Sequence, residues 1–533
     1  MYCLVLICLF FASISCSVLT PIVDLPSGPV QGVVTEYEGT PVYKFLGIPY
    51  AKPPIDTLRL QPPEALDPWT EVKLATEFGP ACQQTFHRIA PEDVSEDCLY
   101  LNIYVSEPTF NSSKTTLRPV LFWIHGGAFK IGAGNLMNDE SPLVPLHNVI
   151  LVSINYRLNS FGFMYFGHDE PRIPQNIGLK DQLFALKWVH ENIIKFGGDP
   201  DLITIFGESA GGMSVSALLL SPLTKGLFKR AIIESGTVYT QCGDRNRLIE
   251  ASWELYNKTS CATQQKDILT CMQSLKPSEL LENQNKDTMS FLYAPGDDLL
   301  PNEPCEAIAE GLYDSTPELI VGVEKNEASL FMTILDKKHF NILDTEPLTY
   351  EDALRILSLI FDDQSVDHAR ELYFGAETNN SDYFRDQLEK AYSDVLFVCP
   401  TYIYGHQYAT TKDNSGKVYA YYHTQRPSSF MPVGEWMGTH HAAELPFVFG
   451  HPFINSGYTE KDVSLSREMM KIWAHFAEKG EPPQIGETRW APLQEDSSAM
   501  ILNIDDWGKT DSERIQFCLK HWPFILQHRM KSF

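Results

Sequence analysis

Residues 202–206 read Leu-Ile-Thr-Ile-Phe, and this apolar run leads directly into Gly207-Glu-Ser-Ala-Gly211. A short β-branched run predicts a buried strand, and the small and apolar residues from Ala210 onward predict a helix. A chain that passes from strand to helix through G-x-S-x-G turns sharply at the serine. The turn lifts the hydroxyl above the sheet, and the flanking glycines let strand and helix approach closely. Chance supplies G-x-S-x-G in roughly one chain in five of this length, so the flanks decide. Here they are the strand and helix that the turn requires. Ser209 is therefore the candidate nucleophile, and the helix N-terminus beside it favours developing negative charge.

The surroundings repeat the pattern. Pro119-Val-Leu-Phe-Trp-Ile124 and Val149-Ile-Leu-Val-Ser-Ile-Asn155 are further continuous apolar runs. Such runs mark strands covered on both faces, as in a parallel sheet flanked by helices. Between residues 178 and 196, Leu179, Leu183, Leu186, Val189, Ile193 and Phe196 recur at helical spacing, and Gly197-Gly-Asp-Pro200 ends that helix. Strand, helix, strand, sharp turn, helix is a βαβ unit with its site at the strand's C-terminal end. The fold class is α/β. Val30–Thr35 and Val42–Gly47 alternate as strands do, and past Ile320-Val-Gly-Val323 the alternation fades.

The 533 residues carry a formal net charge of -26. Nucleic acid, itself an anion, is excluded as a partner on that balance. The acidic surface suits a solvated, soluble protein better than a device for drawing in cations. Hydrophobic residues make up 44%, enough for a large core, and no composition break or repeat divides the chain. Residues 18–533 are accordingly expected to form one domain. Residues 1–17 form an apolar segment too short to span a bilayer and ending in small residues, as a cleaved secretory leader does. Its start lacks the usual Lys or Arg. No other run of about twenty apolar residues follows, so secretion without stable membrane insertion is the expectation. Cys3, Cys8 and Cys16 leave with the leader. Cys82, Cys98, Cys242, Cys261, Cys271, Cys305, Cys399 and Cys518 remain, an even set that favours disulfides in an exported chain. None lies at zinc-ligand spacing from another, so no metal site is expected. Sequons at Asn111, Asn257 and Asn379 suit the same compartment.

A serine nucleophile needs donors for the oxyanion it creates. His125-Gly-Gly-Ala128, directly after a buried strand, is a loop whose backbone can approach a substrate oxygen. The expected donors are the N–H groups of Gly127, Ala128 and Ala210. Ala128 can donate as glycine does if its backbone stays at negative φ.

Several longer segments together resemble the type-B carboxylesterase and cholinesterase family over nearly the whole chain. They are Phe45-Leu-Gly-Ile-Pro-Tyr-Ala51, Ser95-Glu-Asp-Cys-Leu-Tyr-Leu-Asn102, Trp123-Ile-His-Gly-Gly-Ala-Phe129, Asn155-Tyr-Arg157, and Phe196-Gly-Gly-Asp-Pro200 running on to Gly212. The resemblance implies an α/β-hydrolase fold, with a large, mostly parallel twisted central sheet flanked by helices. It also implies a triad in the order Ser, acid, His. The segment Ile320–Phe331 resembles the acid loop and maps the acid onto Glu327, with Glu324 the local rival. The segment 436–450 resembles the histidine loop and selects His441 over the adjacent His440. Ser235 and Glu444 are implied as hydrogen-bond partners behind the triad. Three disulfides are implied as well: Cys82–Cys98, Cys261–Cys271 and Cys399–Cys518. Cys242 and Cys305 are left either free or paired with each other. No metal or organic cofactor is implied.

The resemblance covers two activities. In cholinesterases the first disulfide loop is longer and carries a Trp that seats quaternary ammonium. Residues 83–97 contain no Trp, and Phe86 with His87 is a poor substitute. Cys399, Cys518 and Glu435-Trp-Met-Gly438 lean the other way. Carboxylesterase is the first expectation and cholinesterase the second, with a small-molecule ester as substrate in either case. A binding protein of the same fold that has lost its triad is the third, and the intact Ser209, Glu327 and His441 argue against it.

Overall fold

The computed structural model describes residues 18–84, 93–107, 117–135, 141–240, 245–264, 267–284, 291–343, 345–375, 380–411 and 415–528. Its centre is an 11-stranded sheet. In chain order the strands are β1 (Val33–Tyr37), β2 (Thr40–Pro49), β3 (Tyr100–Ser106), β4 (Arg118–Ile124), β5 (Ile150–Ile154) and β6 (Gly198–Glu208). They continue with β7 (Arg230–Glu234), β8 (Glu318–Glu324), β9 (Val418–His423), β10 (Ala499–Leu502) and β11 (Thr510–Asp511). The spatial order is β11-β10-β9-β8-β7-β6-β4-β5-β3-β2-β1. Strands β5, β4, β6, β7, β8, β9 and β10 run parallel, and the outer strands close both edges antiparallel. This is the mostly parallel, helix-flanked sheet expected from the sequence.

The continuous apolar runs have a direct cause. Val120, Phe122 and Ile124 of β4 enter one core with Ile203 and Ile205 of β6, while Leu121, Trp123 and Phe206 enter a second core on the opposite face. Each strand buries both faces, so alternation disappears. The first core is covered by helices α1 (Ile177–Asn192), α2 (Ala210–Leu220), α3 (Cys399–Thr410) and α5 (Glu513–His528). Helix α4 (Glu460–Lys479) covers the second. A 3-10 turn, Ile193–Phe196, prolongs α1 to Gly197, whose φ of 85° ends it in the left-handed region.

One early segment differs from expectation. Val30–Thr35 is two strands: Gly28–Gln31 belongs to a small separate sheet, and β1 starts at Val33. Gly32 lies between them, where a Cβ would sit 2.2 Å from the Lys44 carbonyl oxygen. The chain changes sheets at the one residue small enough to pass there.

The three expected disulfides are formed: Cys82–Cys98, Cys261–Cys271 and Cys399–Cys518. Cys305 is disulfide-bonded as well, and Cys242 lies outside the described residues. Asn257 is exposed on a helix, whereas Asn111, Asn379 and the expected leader lie outside the described residues. Among the described residues no helix is long and apolar enough to cross a membrane.

Candidate active site

Ser209 stands between β6 and α2 at φ 58°, ψ -121°. That region is costly for a residue with a Cβ, and such strain is concentrated at functional turns. Crowding enforces the glycines around it. A Cβ on Gly207 would lie 2.6 Å from the Gly211 backbone, and one on Gly211 would lie 2.0 Å from the Ile124 carbonyl oxygen. The Ser209 N–H donates to the Glu234 carbonyl, and Met213 N–H donates back to Ser209 O, opening α2.

The loop after β4 comes to the same point. A Cβ on Gly126 would fall 3.1 Å from the Ser209 Cβ. Gly127, Ala128 and Phe129 all have positive φ, at 107°, 56° and 57°. The condition placed on Ala128 is therefore not met, because its backbone does enter the left-handed region. What holds it there is the loop's anchoring. Lys130 and Ile131 N–H donate to Gly127 O, and Gln84 bonds both the N–H and the carbonyl of Gly132 at 2.9 Å. Phe129 is wedged against Phe163, Tyr156 and Tyr293. His125 stacks on Tyr156, and burial pushes its imidazole down to about 4. The N–H groups of Gly127 and Ala128 donate to no described residue.

Glu327 follows β8. Its Oε2 lies 2.6 Å from His441 Nδ1, while Oε1 accepts from Ser235 Oγ at 2.5 Å and from Glu324 N–H at 2.8 Å. The loop is held from below by Glu389, which accepts from Ala328 N–H and Asn326 Nδ2, and burial pushes its carboxyl up to about 7. The two local rivals point elsewhere. Glu324 turns to His423, with Oε2 2.7 Å from Nδ1. His440 Nδ1 bonds the carbonyl of His441 itself. Asn326 clasps the histidine loop through Thr439 in both directions.

His441 packs between two aromatics, stacked 4.3 Å from Phe397 and edge-on to Phe331. Its Nε2 lies 3.0 Å from Glu208 Oε1. Burial opposes charging the imidazole, but the Glu208 and Glu327 carboxylates outweigh it and hold His441 well above the usual histidine range. Glu444 does not join this set. It lies one layer behind, against Glu234 and Glu324 and within reach of the Glu208 charge, without a hydrogen bond to the triad. Among the described residues Asp394, Cys399 and Cys518 bring possible metal ligands together. The two sulfurs are already bonded to each other.

Ser209, the Gly127–Ala128 backbone and the His441–Glu327 pair thus meet at the C-terminal ends of β4, β6 and β8. The sequence profile of the Carboxylesterase family matches residues 19–518. The chain belongs to that family. It is 35% identical over 511 residues to Carboxylesterase 1F of Mus musculus, covering 88% of both chains. It is also 35% identical to Liver carboxylesterase 1 of Mus musculus, over 91% of this chain and 90% of that one. Acetylcholinesterase of Leptinotarsa decemlineata is 32% identical over 96% of this chain and 87% of its own length. The sheet is that of the α/β-hydrolase fold, and the protein is a carboxylic ester hydrolase.

Sequence reasoning gave no role in the site to Glu208, Phe397, Phe331 or Glu389. Glu208 was visible beside Ser209 but has no signature of its own. Phe331 ends the acid-loop segment itself, while Phe397 and Glu389 come from segments with no motif, and only packing on His441 or its acid loop gives the three a place in the site.

Proposed function

We propose that this esterase works through an acyl-enzyme with Ser209 as nucleophile, His441 as base and Glu327 as the acid that orients it. The supporting observation is the 2.6 Å pairing of His441 Nδ1 with Glu327 beside a serine held at the strand-to-helix turn. Nδ1–H donates to Glu327, which leaves Nε2 bare to accept the Ser209 proton. The serine oxygen bonds to the ester carbonyl carbon, and the carbonyl π pair moves onto oxygen. Gly127, Ala128 and Ala210 N–H groups stabilise that charge. Collapse breaks the carbon–alkoxy bond, and His441 returns the proton to the departing alcohol. Water then repeats the sequence, freeing the acid and Ser209. Before each cycle His441 must be neutral, so Glu208 must not retain the proton there. Ser235 acts through Glu327 as a positioning residue.

Secretion fits the disulfides, which need an oxidising compartment. Ser209→Ala should lower kcat by roughly six orders of magnitude while circular dichroism is unchanged. Loss of fluorophosphonate labelling in the same variant ties the reaction to that oxygen, and retained turnover overturns the assignment.

Carboxylesterase is favoured over cholinesterase because residues 83–97 supply no Trp for a cation. A choline ester and its uncharged 3,3-dimethylbutyl isostere should then differ by less than about tenfold in kcat/KM, or about 1.4 kcal/mol. Any residual preference from the acidic surface should fade with salt. A large preference that survives high salt would favour the cholinesterase reading.

A further inference from the structure

Behind the site lie three glutamates with no exposed surface: Glu234, Glu324 and Glu444. The first two end β7 and β8, and Glu444 opens the short helix Leu445–Val448. Each end of the group has one donor. Trp473 Nε1 donates to Glu234 Oε1 at 2.9 Å, and His423 Nδ1 sits 2.7 Å from Glu324 Oε2. The remaining oxygens, Glu234 Oε2, Glu324 Oε1 and both oxygens of Glu444, receive no donor from any described residue. Nor does any of the three pair with a Lys or Arg among the described residues. Ionised carboxylates only accept hydrogen bonds. Glu234 and Glu324 both set against Glu444, fully buried and without a cation partner, are incompatible with full ionisation of all three, and protons shared between the oxygens resolve the charge.

We propose that Glu234, Glu324 and Glu444 form a proton-sharing carboxyl array behind the catalytic histidine that carries at most one net negative charge at neutral pH. This rests on His441 being the base. Glu234 and Glu324 each keep a proton and donate it to Glu444, and a third proton comes and goes on Glu444 itself. The array thereby leaves Glu208 and Glu327 as the charges against His441. Three further anions would hold the imidazolium so firmly that it could not accept the Ser209 proton.

The groups facing the array agree with that assignment. Glu208, paired with Glu234 across β6 and β7, and Glu327 both add negative potential. The Tyr421 hydroxyl from β9 is buried among the same carboxyls. His423 is pushed by burial to about 3, so it stays neutral and supplies Nδ1–H without a charge; His440 opposes its charging and Asp462 favours it. Burial and the Glu208 charge push the Glu444 carboxyl up to about 8. Burial likewise holds Glu234 and Glu324 well above the ordinary carboxyl range.

Infrared spectra of the whole protein test this directly. The carbonyl stretch of protonated carboxylic acids, recognised by its downshift in heavy water, should be present at neutral pH. One component should vanish as the pH passes about 8. Glu234→Gln and Glu324→Gln keep an N–H that can donate to Glu444, and each should remove one component. Replacing a neutral acid by a neutral amide should also leave the pH of the acid limb of kcat/KM within a few tenths of a unit. Glu208→Gln, which removes a charge, should shift that limb toward acid by about a unit or more. Absence of the acid band at neutral pH overturns the array, as does a band whose components are unchanged in both variants. An acid-limb shift for Glu324→Gln as large as that for Glu208→Gln does the same. The wild-type spectrum stands as a test if a variant fails to fold. If Ser209→Ala retained activity, the catalytic assignment would fall while the infrared band would remain.

Discussion

Of the residues with a Cβ that occupy left-handed backbone in this site, Phe129 among them, Ser209 and Ala128 do so for different reasons. In the proposed mechanism Ser209 must, because the turn is what presents its hydroxyl to the ester. Ala128 is held at φ 56° by the anchoring of the loop on either side. Left-handed backbone costs a non-glycine residue about 1–2 kcal/mol. Glycine at 128 would relieve that strain but make the unfolded chain freer by about 0.4–1 kcal/mol. Ala128→Gly is therefore expected to raise stability by about 0–1.6 kcal/mol, read as a small upward shift in Tm. Partly buried Ala128 borders the proposed oxyanion donors, so removal of its methyl should leave kcat/KM for small acyl esters nearly unchanged and raise it for branched ones. Equal changes for every acyl group would mean that the methyl does not face substrate.

At the scale of elements, Cys399–Cys518 joins α3 to α5 across 119 residues, whereas Cys261–Cys271 closes only 10. Chain-entropy bookkeeping gives about 5 kcal/mol for the long loop and about 3 kcal/mol for the short one. The double variant Cys399→Ser/Cys518→Ser should accordingly lose more stability in guanidinium unfolding than Cys261→Ser/Cys271→Ser, and the reverse order would show that strain rather than loop length governs. Neither helix of the long bridge is legible in the sequence. Helix α3 is buried on nearly every side and contains Pro400 and Gly405, so it offers no amphipathic stripe. The central strands were legible for the opposite reason: both faces are apolar, and β4, β5 and β6 stand out as unbroken runs. In the site, the elbow and the acid and histidine loops follow from motifs within single segments. The left-handed Ala128 does not, because residue type argues against it. The contact of Glu208 with His441 and the Glu234–Glu324–Glu444 group do not either, since they arise where separate strand ends converge.

For the whole molecule, the buried acids and histidines set how stability depends on pH. His125 and His423, at about 4 and about 3 in the fold, charge near 6.5 when unfolded. The unfolded chain then binds more protons as pH falls below about 6.5, so their contribution is lost on the acid side and flat above it. The buried glutamates have the opposite sign. Glu389 and Glu444 keep protons up to about 7 and about 8, whereas unfolded glutamates release them near 4.3. The folded state binds more protons across that window, and stability falls as pH rises through it. Between about 4.5 and 6.5 the two effects oppose each other. From about 6.5 to 8 the acids act together with His441, which the Glu208 and Glu327 carboxylates hold above the usual histidine range, at about 1.4 kcal/mol per pH unit for each proton the fold retains. Unfolding free energy should therefore decline by at least about 1–2 kcal/mol over that interval. The net charge of -26 supplies a rival cause, repulsion over the surface. That repulsion is screened at 1 M salt, where the Debye length is about 3 Å, while buried groups are screened far less. Denaturant titrations at pH 6.5 and 8, in low and high salt, separate the two. Retention of the slope in high salt and its reduction in Glu444→Gln are expected, and a slope abolished by salt alone would assign it to the surface.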